Sequence, residues 1–437
     1  MANTYLTRTF GSAGNRKKWT FSAWVKKAVN GVEQRLLTTS DNATFDDQIK
    51  FKGADKLEIV CNSGSGVLTT NRLFRDNSAW YHIVAIWDSG NSTSGDRCQL
   101  WVNGIRETSF ATETYPSINQ DGFINNNTPH YIGVTNVTAN SHHFNGIMSH
   151  IHFIDGTAYD ATAFGEYDAN GVWKIKTDVS VTYGTNGFFI LKDGNSVTDQ
   201  SGNSNNFTVG GGTLTKTEDN PSNVFATLNG ILQTNEILSN GNTSANSASA
   251  TWSYVATTIG VSSGKWYAEF LCSGAANTFM HGVTDLQYAT QQGGYIGAAT
   301  IARGVGYLSI NGNAYIDDAT TVYGASYVVG DYIGCALDMD NNKVYFSKNG
   351  VWQNSGDPTS GATGTGALSL PTTGTYAFGT SNKDDSTTNA NFGNGYFGTT
   401  AITTNSGNGY AGAEGSSKFN YTVPTGYSAL STKGLNE

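Results

Sequence analysis

A run of alternating apolar residues between Gly330 and Trp352 places the strongest constraint on the fold of this chain. Apolar residues occupy every second position of its first half: Ile333, Cys335, Leu337 and Met339. This is the period of a strand with one buried face. After a turn at residues 340–342 the pattern resumes at Val344 and Phe346. The residues that it directs away from the core are Lys343, Tyr345 and Ser347. Asn349-Gly350 favours a second tight turn, so the segment predicts strand, turn, strand, turn, strand.

The first half of the chain repeats this arrangement. Residues 80–87 (WYHIVAIW) predict a strand, and a polar loop separates them from a second strand at residues 98–102 (CQLWV). Asn103-Gly104 then predicts a tight turn before Ile105-Arg106. Two copies of one β arrangement predict two related β-sandwich domains.

The composition supports this prediction. The chain has 437 residues, which is too many for one hydrophobic core and suits two domains of about 200 residues each. It contains 53 Gly, 12% aromatic and only 14% charged residues. Many short strands joined by Gly and Asn turns produce such a profile.

Charge and cysteine content exclude several classes of partner. The net charge of −9 argues against nucleic acid, which requires clustered Lys and Arg. We expect no membrane insertion, because no apolar run is long enough, and no secretion signal, because the N-terminus lacks an apolar core. The four cysteines (Cys61, Cys98, Cys272 and Cys335) lie in predicted strands. We interpret them as small buried apolar residues, and a disulfide within either half is left open.

Several segments of the first half resemble a laminin G or concanavalin A-like lectin domain. They are, in order, WTFSAWV, WYHIVAIW, LWVNGIRE, HYIGV and FNGIMSHIHFIDGTAYDATAFGE. The resemblance implies a β-sandwich and, near residues 160–176, one short helix.

The next segments resemble an extension of that domain in phage tail-fibre or adhesin-like proteins. Residues 199–207 (DQSGNSNNF) are similar to an Asp-x-Ser-Gly-Asn-x-Asn-Asn loop of those proteins. Residues 219–229 (DNPSNVFATLN) are similar to the joint that follows it.

The second half resembles a SPRY domain. Residues 264–270 (GKWYAEF) match its Gly-Lys-x-Tyr-x-Glu strand, and residues 330–350 match its Gly-Asp-x-Ile-Gly strand and Phe-x-Lys-Asn-Gly hairpin. A Gly/Thr/Ser stretch at residues 355–374 departs from the family pattern. The predicted fold class is therefore all-β, with two concanavalin A-like antiparallel β-sandwich (jelly-roll) domains in tandem. We assign residues 1–212 to the first domain, 213–249 to a linker and joint, and 250–437 to the second.

The sequence predicts no enzyme. Retaining glucanases of this superfamily carry a Glu-x-Asp-x-x-Glu strand that holds two carboxyl groups about 5 Å apart, and this chain lacks the motif. The nearest acidic cluster, Glu166-Tyr-Asp168, lacks the third acid and is predicted to lie in a loop.

The sequence gives little support for a metal site, and we expect no cofactor. His150 and His152 share a strand face at period two, but no third ligand accompanies them, so we interpret them as polar residues on the solvent face of a sheet. Ca²⁺ is the alternative. Its oxygen donors would come from Asp338 and Asp340 at a turn, or from the loop residues Asp88, Asn91 and Asp96.

Sugar binding uses aromatic rings beside amide and carboxylate side chains, because a pyranose has an apolar face and many hydroxyls. Candidates in the first domain are Trp87, Asp88 and His143. Candidates in loops of the second domain are Asp285, Tyr288, Tyr295 and Trp352.

These features predict a phage virion protein (a fibre, adhesin or decoration, assembled in the bacterial cytoplasm) that recognises host-surface carbohydrate without cleaving it. One alternative is a purely structural protein whose sandwiches bind other virion proteins. A polysaccharide depolymerase is the third hypothesis. Association of identical chains is left open.

Overall fold

The computed structural model describes residues 3–40, 46–136, 138, 140–192, 196–233, 235–289, 293–402 and 410–436. The chain forms two compact units, Met1–Lys216 (unit 1) and Thr217–Glu437 (unit 2). Both are all-β, and in the described ranges the only helical segments are short 3₁₀ turns: Asn62–Gly64, Ser94–Asp96, Ala161–Ala163, Gln353–Ser355, Gly361–Thr363 and Gly434–Asn436. Among those residues no helix is long and apolar enough to cross a membrane.

Unit 1 is a sandwich of two antiparallel sheets. Its strands are β1 (Tyr5–Thr9), β2 (Lys18–Lys27), β3 (Gln34–Ser40), β4 (Asp46–Phe51), β5 (Lys56–Cys61), β6 (Gly66–Leu73), β7 (Tyr81–Asp88), β8 (Cys98–Val102), β9 (Ile105–Arg106), β10 (Phe110–Thr114), β11 (Pro129–Ile132), β12 (Gly146–Asp155), β13 (Gly165–Tyr167), β14 (Trp173–Ile175), β15 (Phe188–Ile190) and β16 (Thr208–Gly211). One sheet has the order β10-β6-β5-β4-β3-β11-β1-β16, the other has the order β15-β12-β2-β7-β8-β9, and β13 and β14 form a separate hairpin.

The central strand β2 in the six-stranded sheet of unit 1 is buried on both faces. Alternation in β2 predicts one buried face, but every residue from Trp19 to Lys27 is buried. The 3₁₀ turn at residues 161–163 and the β13–β14 hairpin cover the outer face, so that Phe164 and Trp173 pack against it. The short helix predicted for residues 160–176 is therefore a single 3₁₀ turn followed by a hairpin.

Unit 2 is a second antiparallel sandwich. Its strands are β17 (Leu228–Gln233), β18 (Ile237–Ser239), β19 (Ser244–Ser247), β20 (Ser253–Thr257), β21 (Lys265–Gly274), β22 (Phe279–Asp285), β23 (Gly304–Leu308), β24 (Asn313–Ile316), β25 (Ala319–Val322), β26 (Tyr332–Asp338), β27 (Lys343–Lys348), β28 (Val351–Trp352), β29 (Leu368–Ser369), β30 (Tyr376–Asn382), β31 (Ser386–Asn391), β32 (Tyr396–Phe397), β33 (Thr400–Ala401) and β34 (Ser428–Ala429). The two main sheets have the orders β17-β20-β30-β22-β23-β24-β25 and β18-β19-β31-β21-β26-β27-β28; β29 pairs with β27, and β34 pairs with β21.

The two units share the strand arrangement that the sequence repeat predicts. In unit 1 the neighbours β12-β2-β7-β8-β9 follow one another across a sheet, and in unit 2 the neighbours β31-β21-β26-β27-β28 do the same. The predicted strand–turn–strand–turn–strand of residues 330–352 is confirmed as β26, β27 and β28. The all-β sandwich class is therefore confirmed in both halves.

The outer face of the nine-stranded sheet of unit 2 is also covered. Tyr345 and Ser347, which alternation directs away from the core, are fully or almost fully buried. Phe419 and Tyr427 of the C-terminal segment pack beside Tyr345 on this face. This segment (residues 410–430) is called the C-terminal cover below. A second hydrophobic layer therefore replaces the solvent face that the sequence predicts.

Residues 217–249 are integral to unit 2. The strands β17, β18 and β19 lie in the stretch that the sequence assigns to a linker and joint, and each pairs with a sheet of unit 2. Phe225 is fully buried and pairs with Ser431 through an isolated bridge, while Asn223 Nδ2 donates to Ser416 Oγ at 3.1 Å. The joint motif therefore anchors the C-terminal part of unit 2.

The four cysteines are free and buried, as the sequence predicts. Cys61 and Cys98 lie in the core of unit 1, and Cys272 and Cys335 lie in the core of unit 2. Burial raises the pKa of each thiol. They act as small apolar side chains.

Candidate ligand-binding site

An open depression of about 520 Å³ lies on unit 2. Two amides, a phenol, two threonine hydroxyls and two apolar side chains line it: Gln287, Tyr288, Asn342, Leu370, Pro371, Thr372 and Thr373. Three separate parts of the chain supply these residues, namely the loop after β22, the β26–β27 turn and the β29–β30 loop. This mixture of one ring, apolar carbon and neutral polar groups suits a ligand with many hydroxyls.

Backbone hydrogen bonds hold the three loops together. Leu370 N donates to Asn342 O at 3.0 Å, and Leu286 N donates to Thr375 O at 2.8 Å. These bonds fix the β29–β30 loop against both of its neighbours. The lining is therefore positioned by main-chain contacts, as expected of a preformed site.

Asp285 lies beneath the lining and joins two of its loops. It is 1% exposed, its Oδ2 accepts a hydrogen bond from Thr372 Oγ1 at 2.6 Å, and its Oδ1 accepts one from Gln287 N at 3.0 Å. A methyl group on Gly374 would overlap this carboxylate. The predicted candidate Asp285 is thus a buried support of the depression, and it does not present its carboxylate to solvent.

Tyr288 is the one candidate ring that lines the depression. It is half-buried, and the Arg303 guanidinium carbon lies 5.0 Å from the centre of its ring. Arg303 Nε also donates to Asp317 Oδ2 at 2.6 Å. A cation held over the ring by an ion pair fixes the ring orientation.

The other candidates of unit 2 do not line the depression. Tyr295 donates its hydroxyl to Asp318 Oδ1 at 2.7 Å, and this bond together with burial raises its pKa to about 12. Trp352 lies in the edge strand β28, half-buried, with its ring 6.4 Å from that of Tyr267. Ligand contact by Tyr295 and by Trp352 therefore remains a prediction that is separate from this depression.

The three candidates of unit 1 do not form a site. Trp87 has 0% exposure and donates its indole N–H to Arg16 O at 3.1 Å, so its ring faces the core and cannot contact a ligand. Asp88 forms an ion pair with Lys18 at 3.1 Å. His143 is half-buried, with its ring 6.1 Å from that of Tyr5.

The histidine pair of β12 also differs from its interpretation as part of a solvent face. His152 is 2% exposed, stacks at 3.9 Å on Phe189 and lies 2.8 Å from the Tyr183 hydroxyl through Nδ1. His150 occupies a left-handed conformation (φ 48°), where a bulge interrupts the pairing with β2. The alternation of side chains in a regular strand is therefore interrupted between His150 and His152.

The oxygen-donor loops are used internally. Asp338 accepts hydrogen bonds from Asn341 N and Nδ2 at 3.0 and 2.8 Å, and Asp340 accepts one from Gly264 N. In unit 1, Asp96 pairs with Arg106 at 2.8 Å. Within the described ranges, no group of three or more His, Cys, Asp and Glu side chains is placed to hold a metal.

A buried Cys–His pair in unit 2 lacks the properties of a nucleophile. Cys272 Sγ lies 3.4 Å from His281 Nε2, and both residues are almost fully buried. Burial raises the pKa of Cys272 and lowers that of His281 to about 3. Both groups are therefore neutral near pH 7, whereas a catalytic pair requires a thiolate.

The Asp/Ser/Asn-rich loop at residues 199–207 is a structural element of unit 1. Asp199 Oδ1 accepts hydrogen bonds from Phe189 N and Ser201 N at 2.8 and 2.9 Å. Its Oδ2 accepts one from Asn205 N at 2.8 Å, and Asn205 Nδ2 donates to Gly187 O at the same distance. These polar side chains support the loop, which accounts for their presence without a ligand.

The sequence predicts one lining residue, Tyr288, and the buried Asp285 beneath the lining, but it does not predict the other lining residues. Asn342 was interpreted only as a turn residue, and Thr372 and Thr373 fall in the Gly/Thr/Ser stretch whose conformation the family pattern does not specify. The pairing of β27 with β29 brings Asn342 close to the β29–β30 loop, and the sequence does not reveal this pairing.

The fold and the depression define a protein built from lectin-like β-sandwich binding domains. Residues 2–162 match the laminin G-type model of the concanavalin A-like lectin/glucanases superfamily, and residues 265–384 match the SPRY domain model. The chain thus carries a laminin G-type domain and a SPRY domain, both of which are typically non-catalytic. A search of curated proteins gave no match.

Several solved structures are similar to parts of this chain. The SPRY domain of human HERC1 is 16% identical over 37% of this chain and 96% of its own, with a TM-score of 0.30. A further human SPRY domain is 15% identical over 36% and 95%, with a TM-score of 0.28. Stonustoxin is 17% identical over 38% of this chain and 27% of its own, with a TM-score of 0.29.

Proposed function

We propose that this protein is a phage virion protein that binds host-surface carbohydrate without cleaving it. The observation that carries the binding role is the depression of unit 2, where the Tyr288 ring lies beside the amides of Gln287 and Asn342 and the hydroxyls of Thr372 and Thr373. A pyranose offers an apolar face to a ring and hydroxyls to amides, so the chemistry of the lining matches that of a sugar.

The lining also supports binding without cleavage. Glycoside hydrolysis uses two carboxyl groups about 5–9.5 Å apart, on either side of the bond to be broken. No carboxylate lines this depression, and the nearby Asp285 is buried and hydrogen-bonded by Thr372. The depression therefore offers contacts to a sugar but no acid–base pair.

The virion role rests on the resemblance of residues 199–207 and 219–229 to phage fibre proteins. Four free cysteines suit assembly in a reducing bacterial cytoplasm. Mass spectrometry of purified phage particles tests the proposed virion location. Peptides of this chain in the particle are expected, and their absence would contradict a virion location.

A second candidate function, binding to another virion protein, is favoured by one edge of unit 2. All four residues of β25 are exposed, with Val322 at 86% and the nearby loop residue Ile310 at 63%. An uncharged exposed edge strand is able to pair with another chain. Val322→Lys is expected to reduce incorporation into particles under this hypothesis, whereas normal incorporation would contradict it. Sedimentation of the purified chain tests association with a second copy.

The binding role is tested with a glycan array that includes host-derived polysaccharide, followed by an assay for new reducing ends. Binding without new reducing ends is the expected result. Release of reducing ends would establish a depolymerase, and absence of binding to every glycan would favour the structural virion role.

A further inference from the structure

We infer that the ligand of the unit 2 depression is an uncharged glycan, and that its recognition depends on hydrogen bonds and ring contact without ion pairing. This inference rests on the proposed carbohydrate-binding function and specifies the class of ligand. It follows from which side chains reach the depression and from how the charged groups around it are already bonded.

Among the described residues that line the depression, the Tyr288 phenol is the only ionisable group. An acidic sugar carries carboxylate, sulfate or phosphate groups, which proteins bind with Arg or Lys in charge-assisted hydrogen bonds. The amides of Gln287 and Asn342 and the hydroxyl of Thr373 are neutral donors and acceptors, whereas the Thr372 hydroxyl already donates to Asp285. These neutral groups can donate hydrogen bonds to sugar hydroxyls and also accept hydrogen bonds from them.

The charged residues nearest the depression are engaged with one another or with the protein. Arg303 pairs with Asp317 at 2.6 Å and lies over the Tyr288 ring. Asp285 accepts hydrogen bonds from Thr372 Oγ1 and Gln287 N. If Arg303 or Asp285 turned to bind a charged ligand, these interactions would break, and their loss would reduce the free energy gained on binding.

Lys343 follows the lining residue Asn342, but its ammonium is directed to Ser369. Its Nζ donates to Ser369 Oγ at 3.0 Å, and its alkyl chain lies close to Gly364. The protein as a whole has a net charge of −9. Long-range electrostatics therefore repel polyanions and give no attraction that would favour them over neutral glycans.

The test compares matched neutral and acidic polysaccharides from the same host, using the full chain and its Lys343→Gln and Tyr288→Ala variants. Neutral glycan is expected to bind at least about tenfold more tightly than its uronic-acid, sialylated or sulfated counterpart. Its affinity should change less than about twofold between about 0.1 M and about 1 M salt, over which the Debye length falls from about 10 Å to about 3 Å. Lys343→Gln should leave the affinity unchanged, because the ammonium is not expected to contact the ligand.

The outcomes separate this inference from the function on which it rests. Tighter binding of the acidic glycan, with strong salt dependence and loss in both Lys343→Gln and Tyr288→Ala, would overturn the neutral ligand and leave carbohydrate binding at this depression standing. Absence of binding to any glycan, or binding that Tyr288→Ala does not weaken, would overturn the proposed site and with it this inference.

Discussion

The Thr372 hydroxyl donates a 2.6 Å hydrogen bond to the buried carboxylate of Asp285. Through this bond the loop after β22 and the β29–β30 loop become two walls of one depression. The same hydroxyl oxygen lies 2.7 Å from that of Tyr376. The lining of the depression therefore depends on polar contacts beneath it.

Thr372→Val should destabilise unit 2 and weaken glycan binding. The substitution keeps the side-chain shape but removes the donor to Asp285, and a buried carboxylate that loses a partner costs about 1–3 kcal/mol. Urea denaturation measures the change. Thr320→Val in the exposed strand β25 is the matched control and should change the stability by less than about 0.5 kcal/mol. Equal stability of Thr372→Val and wild type would contradict a supporting role for this bond.

His82 predicts a loss of stability of unit 1 at acidic pH. Trp173 Nε1 donates to His82 Nδ1 at 3.0 Å, so Nε2 carries the proton toward Ser22 Oγ at 2.9 Å. Burial lowers the pKa of His82 from 6.5 to about 3. Between pH 6.5 and about pH 3, the native state binds fewer protons at His82 than the unfolded state does. The contribution of the neutral His82 to the free energy of unfolding is therefore complete above pH 6.5 and is lost as the pH falls toward 3.

The corresponding experiment compares wild type and His82→Phe by urea denaturation at several pH values. One proton contributes a slope of at most about 1.4 kcal/mol per pH unit. The free energy of unfolding of the variant should fall less steeply with decreasing pH than that of wild type. Identical slopes would show that His82 has the same pKa in the folded and the unfolded protein, and would contradict the lowered pKa.

Glu269 predicts the opposite pH dependence in unit 2. It is fully buried and accepts hydrogen bonds from Asn420 N at 2.7 Å and Tyr421 N at 2.8 Å, which attaches the C-terminal cover to β21. Burial raises the pKa of Glu269 from 4.5 to about 7, against the effect of these donors. Between pH 4.5 and about pH 7, the native state therefore retains a proton on Glu269 that the unfolded state has lost. The contribution of the protonated Glu269 to the free energy of unfolding is lost as the pH rises through about 7.

Glu269→Gln should lower hydrogen-exchange protection of the C-terminal cover, because one side-chain oxygen replaces two. The deficit relative to wild type should narrow between about pH 5 and about pH 8, since glutamine does not ionise. Hydrogen exchange of peptides that contain residues 418–421 provides the measurement. A deficit that stays constant over this pH range would mean that the Glu269 carboxylate is ionised throughout, and would contradict a raised pKa.

The sequence predicted the sandwich class because alternation in the core-facing strands is strong. It could not predict that the outer faces are buried. Trp24 and Tyr345 occupy positions that alternation assigns to solvent, yet they are 4% and 0% exposed. Their covers come from the β13–β14 hairpin in unit 1 and from residues 410–430 in unit 2, and strand period carries no information about such distant segments.

The candidate site was predictable only in part for the same reason. Tyr288 lies in the loop after β22, and an aromatic residue in a loop is a reasonable indication of binding. Trp87 satisfied a similar rule, but its indole N–H reaches Arg16 O and its ring fills the core. Thr372 and Asn342 come together because β27 pairs with β29, with Val344 opposite Leu368, and composition does not reveal this pairing.

The most direct test of the account is the affinity of wild type, Tyr288→Ala and Tyr167→Ala for the glycan that the array identifies, measured by calorimetry. Tyr167 lies in unit 1 and is 51% exposed, so its removal controls for loss of a surface tyrosine. The account predicts that Tyr288→Ala binds at least about tenfold more weakly, a loss of about 1.4 kcal/mol, while Tyr167→Ala binds as wild type does. Unchanged affinity of Tyr288→Ala would contradict the assignment of the unit 2 depression as the carbohydrate site.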